Sequence, residues 1–283
     1  MTISVNQLAK MIDHSILHPV FTDADLEIEC AVARKYNVAS VCVKPYAVKK
    51  AVKFLRGSDV KTGCVIGFPH GNSSTSVKIF EAEQACQDGA TEIDMVINIG
   101  KALGGDWNYV EDEIRALTDT CHLNNAIIKV IFETDYVTRD EDKIRLCEIC
   151  TRAGADFVKT STGYGFVKMP GGDYNYKGAT IYDVELMRKH SGPKVHVKCS
   201  GGVRTLDDLL KMKAAGATRS GATATAVMAA GVAAIPQQGA RCFPRNALSV
   251  AKTPRYRSNP AKEDRFIAAI ATANRNLLVN QLE

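Results

Sequence analysis

Two hydrophobic periods take turns along the chain. Short runs of four to seven residues alternate apolar with polar side chains, the period of a strand with two unlike faces. Such runs begin near Ile12 (IDHSIL), Val38 (VASVCV), Gly63 (GCVIGF), Glu92 (EIDMVIN), Ala126 (AIIKVIF), Asp156 (DFVKTS), Lys194 (KVHVKCS) and Thr218 (TRSGAT). Between them lie longer stretches with apolar residues three and four apart, which predict helices: DADLEIECAVARKY, STSVKIFEAEQACQDG and RDEDKIRLCEICTRAG. The last ends on Gly154, a helix C-cap residue type, and Thr138 followed by Glu141 reads as an N-terminal capping box. Strand then helix, about eight times over, predicts α/β architecture with a parallel sheet. The count and length favour a closed (β/α)8 TIM barrel with a C-terminal linker and helix extension. An open doubly wound sheet would carry a glycine-rich turn after its first strand, and HPVFTDADL has no glycine.

The pattern breaks after residue 235. Residues 236–260, PQQGARCFPRNALSVAKTPRYRSNP, are rich in Pro, Arg and small residues and read as a linker. Asn259 and Pro260 then suit an N-cap and a first helical position, and Phe266, Ile270, Ala273, Leu277 and Gln281 follow at near-helical spacing. The expected organisation is a barrel over 1–235 and a basic linker with an amphipathic helix over 236–283. Charge follows the same boundary. Eight basic and three acidic residues between 241 and 283 account for the whole formal surplus of +5 in the 283-residue chain. The barrel is thus neutral overall, with no general attraction for nucleic acid. No apolar run reaches the roughly 18 residues of a membrane span, and the N-terminus lacks a secretory pattern. The nine cysteines lie mostly in apolar stretches. Cys147 and Cys150 form a close pair, but no second pair completes a zinc site. The expectation is a cytoplasmic protein with reduced thiols, no metal and no membrane contact.

Alternation assigns faces within each strand. Ile93, Met95 and Ile97 form one apolar row, Ile128, Val130 and Phe132 a second, and Val195, Val197 and Cys199 a third. If these rows meet the helices, Asp94, Lys129, Lys159 and Lys198 point into one barrel interior, with Glu92, Glu133 and His196 on the same faces. Three lysines beside one aspartate do not neutralise one another, which is hard to explain as structure alone. A free lysine has a pKa of about 10.4 and is almost wholly protonated at neutral pH. A neighbouring cation and burial both lower that pKa, and a neutral amine attacks carbonyls to form Schiff bases. Lys159 or Lys198 is therefore a candidate nucleophile, the other its depressing neighbour. Glycine turns follow the last two strands: Gly201 and Gly202 in SGGVRTLDDL, with Arg204, and Gly221 in SGATATAV ahead of an expected helix. Free backbone amides in such turns receive phosphate, and barrels often hold phosphate there.

The segments DHSIL, ASVCV, IGFPHG, GATEIDMVIN, IIKVIFET, GADFVKTSTG, KCSGGVRT and GATRSGATA, in this order and spacing, resemble the deoxyribose-phosphate aldolase family over residues 13 to about 235. The resemblance implies a class I lyase that cleaves 2-deoxy-D-ribose 5-phosphate reversibly into acetaldehyde and D-glyceraldehyde 3-phosphate, without metal or cofactor. It implies Lys159 as the Schiff-base lysine, Lys198 as the partner that lowers its pKa, and Asp94 as the acid/base group acting through a water. Lys129, Asp13 and Cys42 fall in the supporting network. Thr162, Gly163, Gly201, Gly202, Val203, Arg204, Gly221 and Thr223, with Ala224 beside it, fall on substrate and phosphate segments. The implied partners are small phosphorylated sugars and aldehydes, with self-association to a dimer or tetramer allowed for.

The chain also departs from that pattern. Tyr164 stands where some members carry a lysine after STG, and GFVKMPGGDYNYKGAT follows, so Lys168 and Lys177 become candidate replacements. Thr223 and Ala224 replace a pair of serines, and no terminal tyrosine is present, leaving Tyr256 as a distant stand-in. Two alternatives follow: a Schiff-base aldolase of the same fold acting on another aldehyde pair, or a non-catalytic barrel that binds a phosphorylated metabolite.

Overall fold

The computed structural model describes residues 4–222. The linker, the C-terminal helix, Thr223, Ala224 and Tyr256 lie outside the described residues. Eight strands form a closed barrel in which every neighbouring pair is parallel. They are β1 (Ile12–Ile16), β2 (Ser40–Val43), β3 (Lys61–Ile66), β4 (Glu92–Val96), β5 (Ile127–Ile131), β6 (Phe157–Lys159), β9 (His196–Ser200) and β10 (Arg219–Ala222). β7 (Val167–Lys168) and β8 (Tyr174–Asn175) make a small antiparallel hairpin between β6 and β9. Each barrel strand starts within about two residues of the run that predicts it.

The helices form the outer layer. α1 (Val5–Ala9) precedes the barrel, and α2 (Asp23–Tyr36), α3 (Val48–Leu55), α4 (Thr75–Gln87), α5 (Ile99–Leu103), α6 (Trp107–Leu123), α7 (Asp140–Ala153), α8 (Ile181–His190) and α9 (Leu206–Ala214) follow. Local chemistry sets their ends. Thr22 and Asp25 cap α2 reciprocally, as Thr205 and Asp208 cap α9. Gly154 ends α7 in the left-handed conformation, φ 77°, as its residue type foretells. The Thr138 capping box does not form. Arg139 is the N-cap, without a side-chain bond, and Asp140, Glu141 and Asp142 crowd the first turn against the helix dipole instead.

Apolar side chains on the outward strand faces are buried against the helices: Ile93, Met95, Ile97, Ile128, Val130, Phe132, Val158, Val195, Val197 and Cys199 join one core cluster. The alternation read from the sequence therefore holds. Packed between barrel and helices is a fully buried charge pair. Lys78 of α4 donates to the Val96 carbonyl at 2.8 Å and to Glu113 of α6 at 2.9 Å, and both side chains are fully buried. Burial pushes the Lys78 ammonium below its ordinary pKa, although Glu113 opposes that shift. No described helix is long and apolar enough to cross a membrane.

Candidate active site

Strand pairing decides which inward residues meet. Asp94 on β4 lies opposite Lys129 on β5, and Lys159 on β6 opposite Lys198 on β9. Lys129 pairs with Phe157, whereas Ile131 pairs with Lys159. Lys159 therefore sits two residues nearer the C-terminal rim than Lys129, the end where barrel enzymes bind substrate.

Asp94 is the hub. Its Oδ1 accepts from Lys129 Nζ at 2.8 Å, and its Oδ2 accepts from Lys159 Nζ and Lys198 Nζ, each at 2.7 Å. Lys198 also reaches Asp13 Oδ2 at 2.6 Å, and Lys129 reaches Glu92 Oε2 at 2.6 Å. Arg219 of β10 closes the network with an ion pair to Asp13 and a 2.9 Å bond to Glu92 Oε1. The three lysines and three carboxylates are all buried.

This corrects the expectation of three lysines around one acid. Asp13, Glu92 and Asp94 face Lys129, Lys159, Lys198 and Arg219, an excess of one positive charge. The surroundings single out one group. Burial and Lys198 push Lys159 below its ordinary pKa, against the pull of its single carboxylate partner, Asp94. Burial would lower Lys198 as well, but Asp13 and Asp94 outweigh it and hold Lys198 above the usual range. Lys129, ringed by Asp13, Asp94 and Glu92, is likewise raised in spite of burial. Burial alone would raise Asp94, yet Lys129, Lys159 and Lys198 keep it well below the usual carboxylate range. With Lys159 neutral, the cluster is balanced.

Around this centre the inferred supporting and binding positions divide. Asp13 accepts a 2.7 Å bond from Ser40 Oγ and belongs to the network. Cys42 packs beside it with Leu17 and Val65, under Phe68 and Tyr164, and burial pushes its thiol up to about 11. Phe68 and Tyr164 meet edge to face at 5.4 Å. With Leu17, Lys44 and Val65 they line a cavity of about 280 Å³. None of the interior lysines lines it.

Thr162 N–H donates to Glu133 Oε2 at 3.2 Å, and its hydroxyl donates to the same oxygen. The hydroxyl is thus already engaged by protein. Glu133 holds this grip from a left-handed backbone, φ 56°, uncommon for a side chain of its size. It is buried with Oε1 unpartnered, and burial raises its pKa. Gly163, Gly201 and Gly202 all have positive φ, and Val203 is buried beside them. Arg204 is exposed, and its backbone N–H is drawn into the α9 cap by Asp208. Gly221 faces Ser200 across the β9–β10 pair. A helix after Gly221 lies outside the described residues.

Two members of this constellation escaped the sequence reading. Arg219 has the same inward parity as Gly221 on β10, so alternation could have found it. Asp135 sits in the loop after β5, where no period applies. It accepts the backbone N–H groups of Lys177 at 2.7 Å and Gly178 at 3.1 Å.

A closed parallel barrel with three lysines buried among carboxylates is the setting in which barrel enzymes of the aldolase class work. Residues 7–239 match the profile of the DeoC/LacD family of aldolases, and the chain belongs to that family. A deoxyribose-phosphate aldolase of Rhodopirellula baltica is 50% identical over 223 residues, covering 79% of this chain and 88% of the relative. One of Clostridium perfringens is 47% identical over 225 residues, covering 80% and 95%. The tetrameric structure of deoxyribose phosphate aldolase from Aeropyrum pernix superposes with a TM-score of 0.73 at 29% identity, covering 82% of this chain and 94% of that one.

Proposed function

We propose that this aldolase cleaves 2-deoxy-D-ribose 5-phosphate reversibly into acetaldehyde and D-glyceraldehyde 3-phosphate, with Lys159 as the Schiff-base lysine. The observation that carries the role of Lys159 is the charge count of the interior: four cations face three carboxylates, and Lys159 is the one lysine of the three that burial and a neighbouring ammonium push toward neutrality. The relatives' activity supports the substrate.

In the synthetic direction the neutral Lys159 Nζ attacks the carbonyl carbon of acetaldehyde, and the oxygen takes up a proton to give a carbinolamine. Loss of water leaves an iminium ion. Removing a methyl proton from it produces an enamine, whose carbon bonds to the aldehyde carbon of glyceraldehyde 3-phosphate. Hydrolysis frees the sugar phosphate and regenerates the amine. Asp94 touches Lys159 Nζ directly and, through a water, is placed to take and return these protons. Lys198 remains an ammonium and disfavours a second positive charge on Lys159. Glycine amides near Gly163, Gly201 and Gly202 receive the phosphate. Val203, Arg204 and Gly221 complete that end.

The tetrameric relative supports self-association, and the free cysteines of the described residues, most of them buried, fit a reducing compartment such as the cytoplasm. Tyr164 and the segment after it motivate the alternative of a different aldehyde pair. A coupled assay on 2-deoxyribose 5-phosphate beside plain 2-deoxyribose decides between them. The proposal expects a strong preference for the phosphorylated sugar, and equal turnover of the two would overturn the substrate assignment.

A further inference from the structure

The segment after Tyr164 is fastened to the barrel by the loop that follows β5. Phe166 N–H donates to Tyr136 Oη at 2.8 Å, and Asp135 receives Lys177 N–H and Gly178 N–H. These bonds clamp both ends of the β7–β8 excursion to a buried carboxylate and a phenol on consecutive residues. Beyond the clamp the chain lies directly on the turn after β9. Ala179 N–H donates to the Ser200 and Gly201 carbonyls at 3.1 and 3.0 Å. A Cβ on Gly178 would stand 2.5 Å from the Gly201 carbonyl oxygen, so only glycine allows this approach. The Lys177 carbonyl oxygen lies 3.6 Å from where a Cβ on Gly202 would be.

Asp135 therefore delivers Lys177 to the edge of the Gly201–Gly202 turn. The Lys177 side chain is exposed, and its ammonium makes no ion pair or hydrogen bond among the described residues. Lys168 differs: it is paired within the hairpin strand β7 opposite Tyr174, and no described contact ties it to the glycine turn.

From this geometry we infer that Lys177 is the substrate-phosphate cation of this chain, supplied by the inserted segment in place of a lysine at Tyr164, and that Asp135 is its positioning residue. The inference rests on the reading of the Gly201–Gly202 turn as the phosphate end. A cation there attracts a dianion and leaves the aldehyde chemistry at Lys159 alone. The electrostatic contribution is that of a partly solvated pair, which sets the expected size of effect at about twofold to fivefold.

The test is steady-state kinetics of the full chain on 2-deoxyribose 5-phosphate and on 2-deoxyribose, with borohydride trapping of acetaldehyde as the measure of imine formation. Lys177→Gln should raise KM for the phosphorylated sugar about twofold to fivefold. It should leave kcat, the plain sugar and trapping unchanged. Lys177→Arg should restore most of the affinity, and Lys168→Gln should change nothing. Asp135→Asn should move KM in the same direction, and the double variant Asp135→Asn with Lys177→Gln should lose less than the two single losses combined. An unchanged KM in Lys177→Gln, or a loss that follows Lys168→Gln instead, would overturn the inference. If the unsubstituted protein shows no preference for phosphate or no trapped imine, the proposed function fails, separately from the role of Lys177.

Discussion

The choice among three buried lysines turns on how many carboxylates each one meets. Among the described residues Lys129 and Lys198 each pair with more than one carboxylate, and Lys159 pairs with Asp94 alone. Replacing Lys198 with Met removes the cation beside Lys159, so its pKa should rise and the acid limb of the rate profile should move to higher pH. An unchanged profile would mean that the neighbouring ammonium does not tune the nucleophile. Asp94→Asn should retain some imine trapping while losing turnover by on the order of a hundredfold to ten-thousandfold. Glu133 gives a prediction about stability. Burial raises its folded pKa above the unfolded value, so its favourable contribution is present at low pH and lost as pH rises through the folded pKa. Glu133→Gln cannot ionise, so its stability relative to the parent should increase with pH across that window, measured by urea unfolding. A constant difference would contradict buried ionisation at this site. At this scale the sequence is highly legible where side chains alternate. Asp94, Lys129, Lys159 and Lys198 follow from parity in their strands. The balancing role of Glu92 and Arg219 does not, because it depends on which strands close the barrel around them. Nor does the choice between Lys159 and Lys198, which needs their carboxylate neighbours.

Elements are legible where one period runs long enough. α2 and α7 are readable from apolar spacing, and the barrel strands from alternation. The hairpin β7–β8 is not, since two-residue strands carry no period and depend on anchoring at Asp135 and Tyr136. The Thr138 box fails for a related reason: a capping motif is a local preference, and the loop enters α7 one residue later. The join between layers is also invisible in sequence, because Lys78 and Glu113 lie on separate helices and meet only when α4 and α6 pack. Glu113 additionally accepts from Asn98 N–H at 3.0 Å, so the pair ties two helices to the end of β4. Lys78→Met should leave a buried carboxylate without its cation and cost about 3–5 kcal/mol. Lys78→Met with Glu113→Leu should recover much of that loss, since a well-packed apolar pair often replaces a buried ion pair at little cost. Denaturant unfolding of both variants is the check, and a neutral single variant would show that Glu113 is solvated.

Across the whole molecule the chemistry proposed here lies within the stretch shared with the family, residues 7–239. The formal charge surplus lies after residue 240. We propose that residues 236–283 are separable from the reaction. A chain ending at Ile235 should fold, form the imine and turn over 2-deoxyribose 5-phosphate. A raised KM for the phosphorylated sugar alone would instead identify the tail as a lid, and a smaller particle by sedimentation with kinetics unchanged would identify it as a subunit contact.

The central claim is that the interior's excess charge is relieved by a neutral, nucleophilic Lys159. Acetaldehyde with borohydride, followed by peptide mapping, tests it most directly. The account predicts a stable two-carbon adduct confined to Lys159 and abolished in Lys159→Met. An adduct on Lys198, or none on any interior lysine, would contradict it.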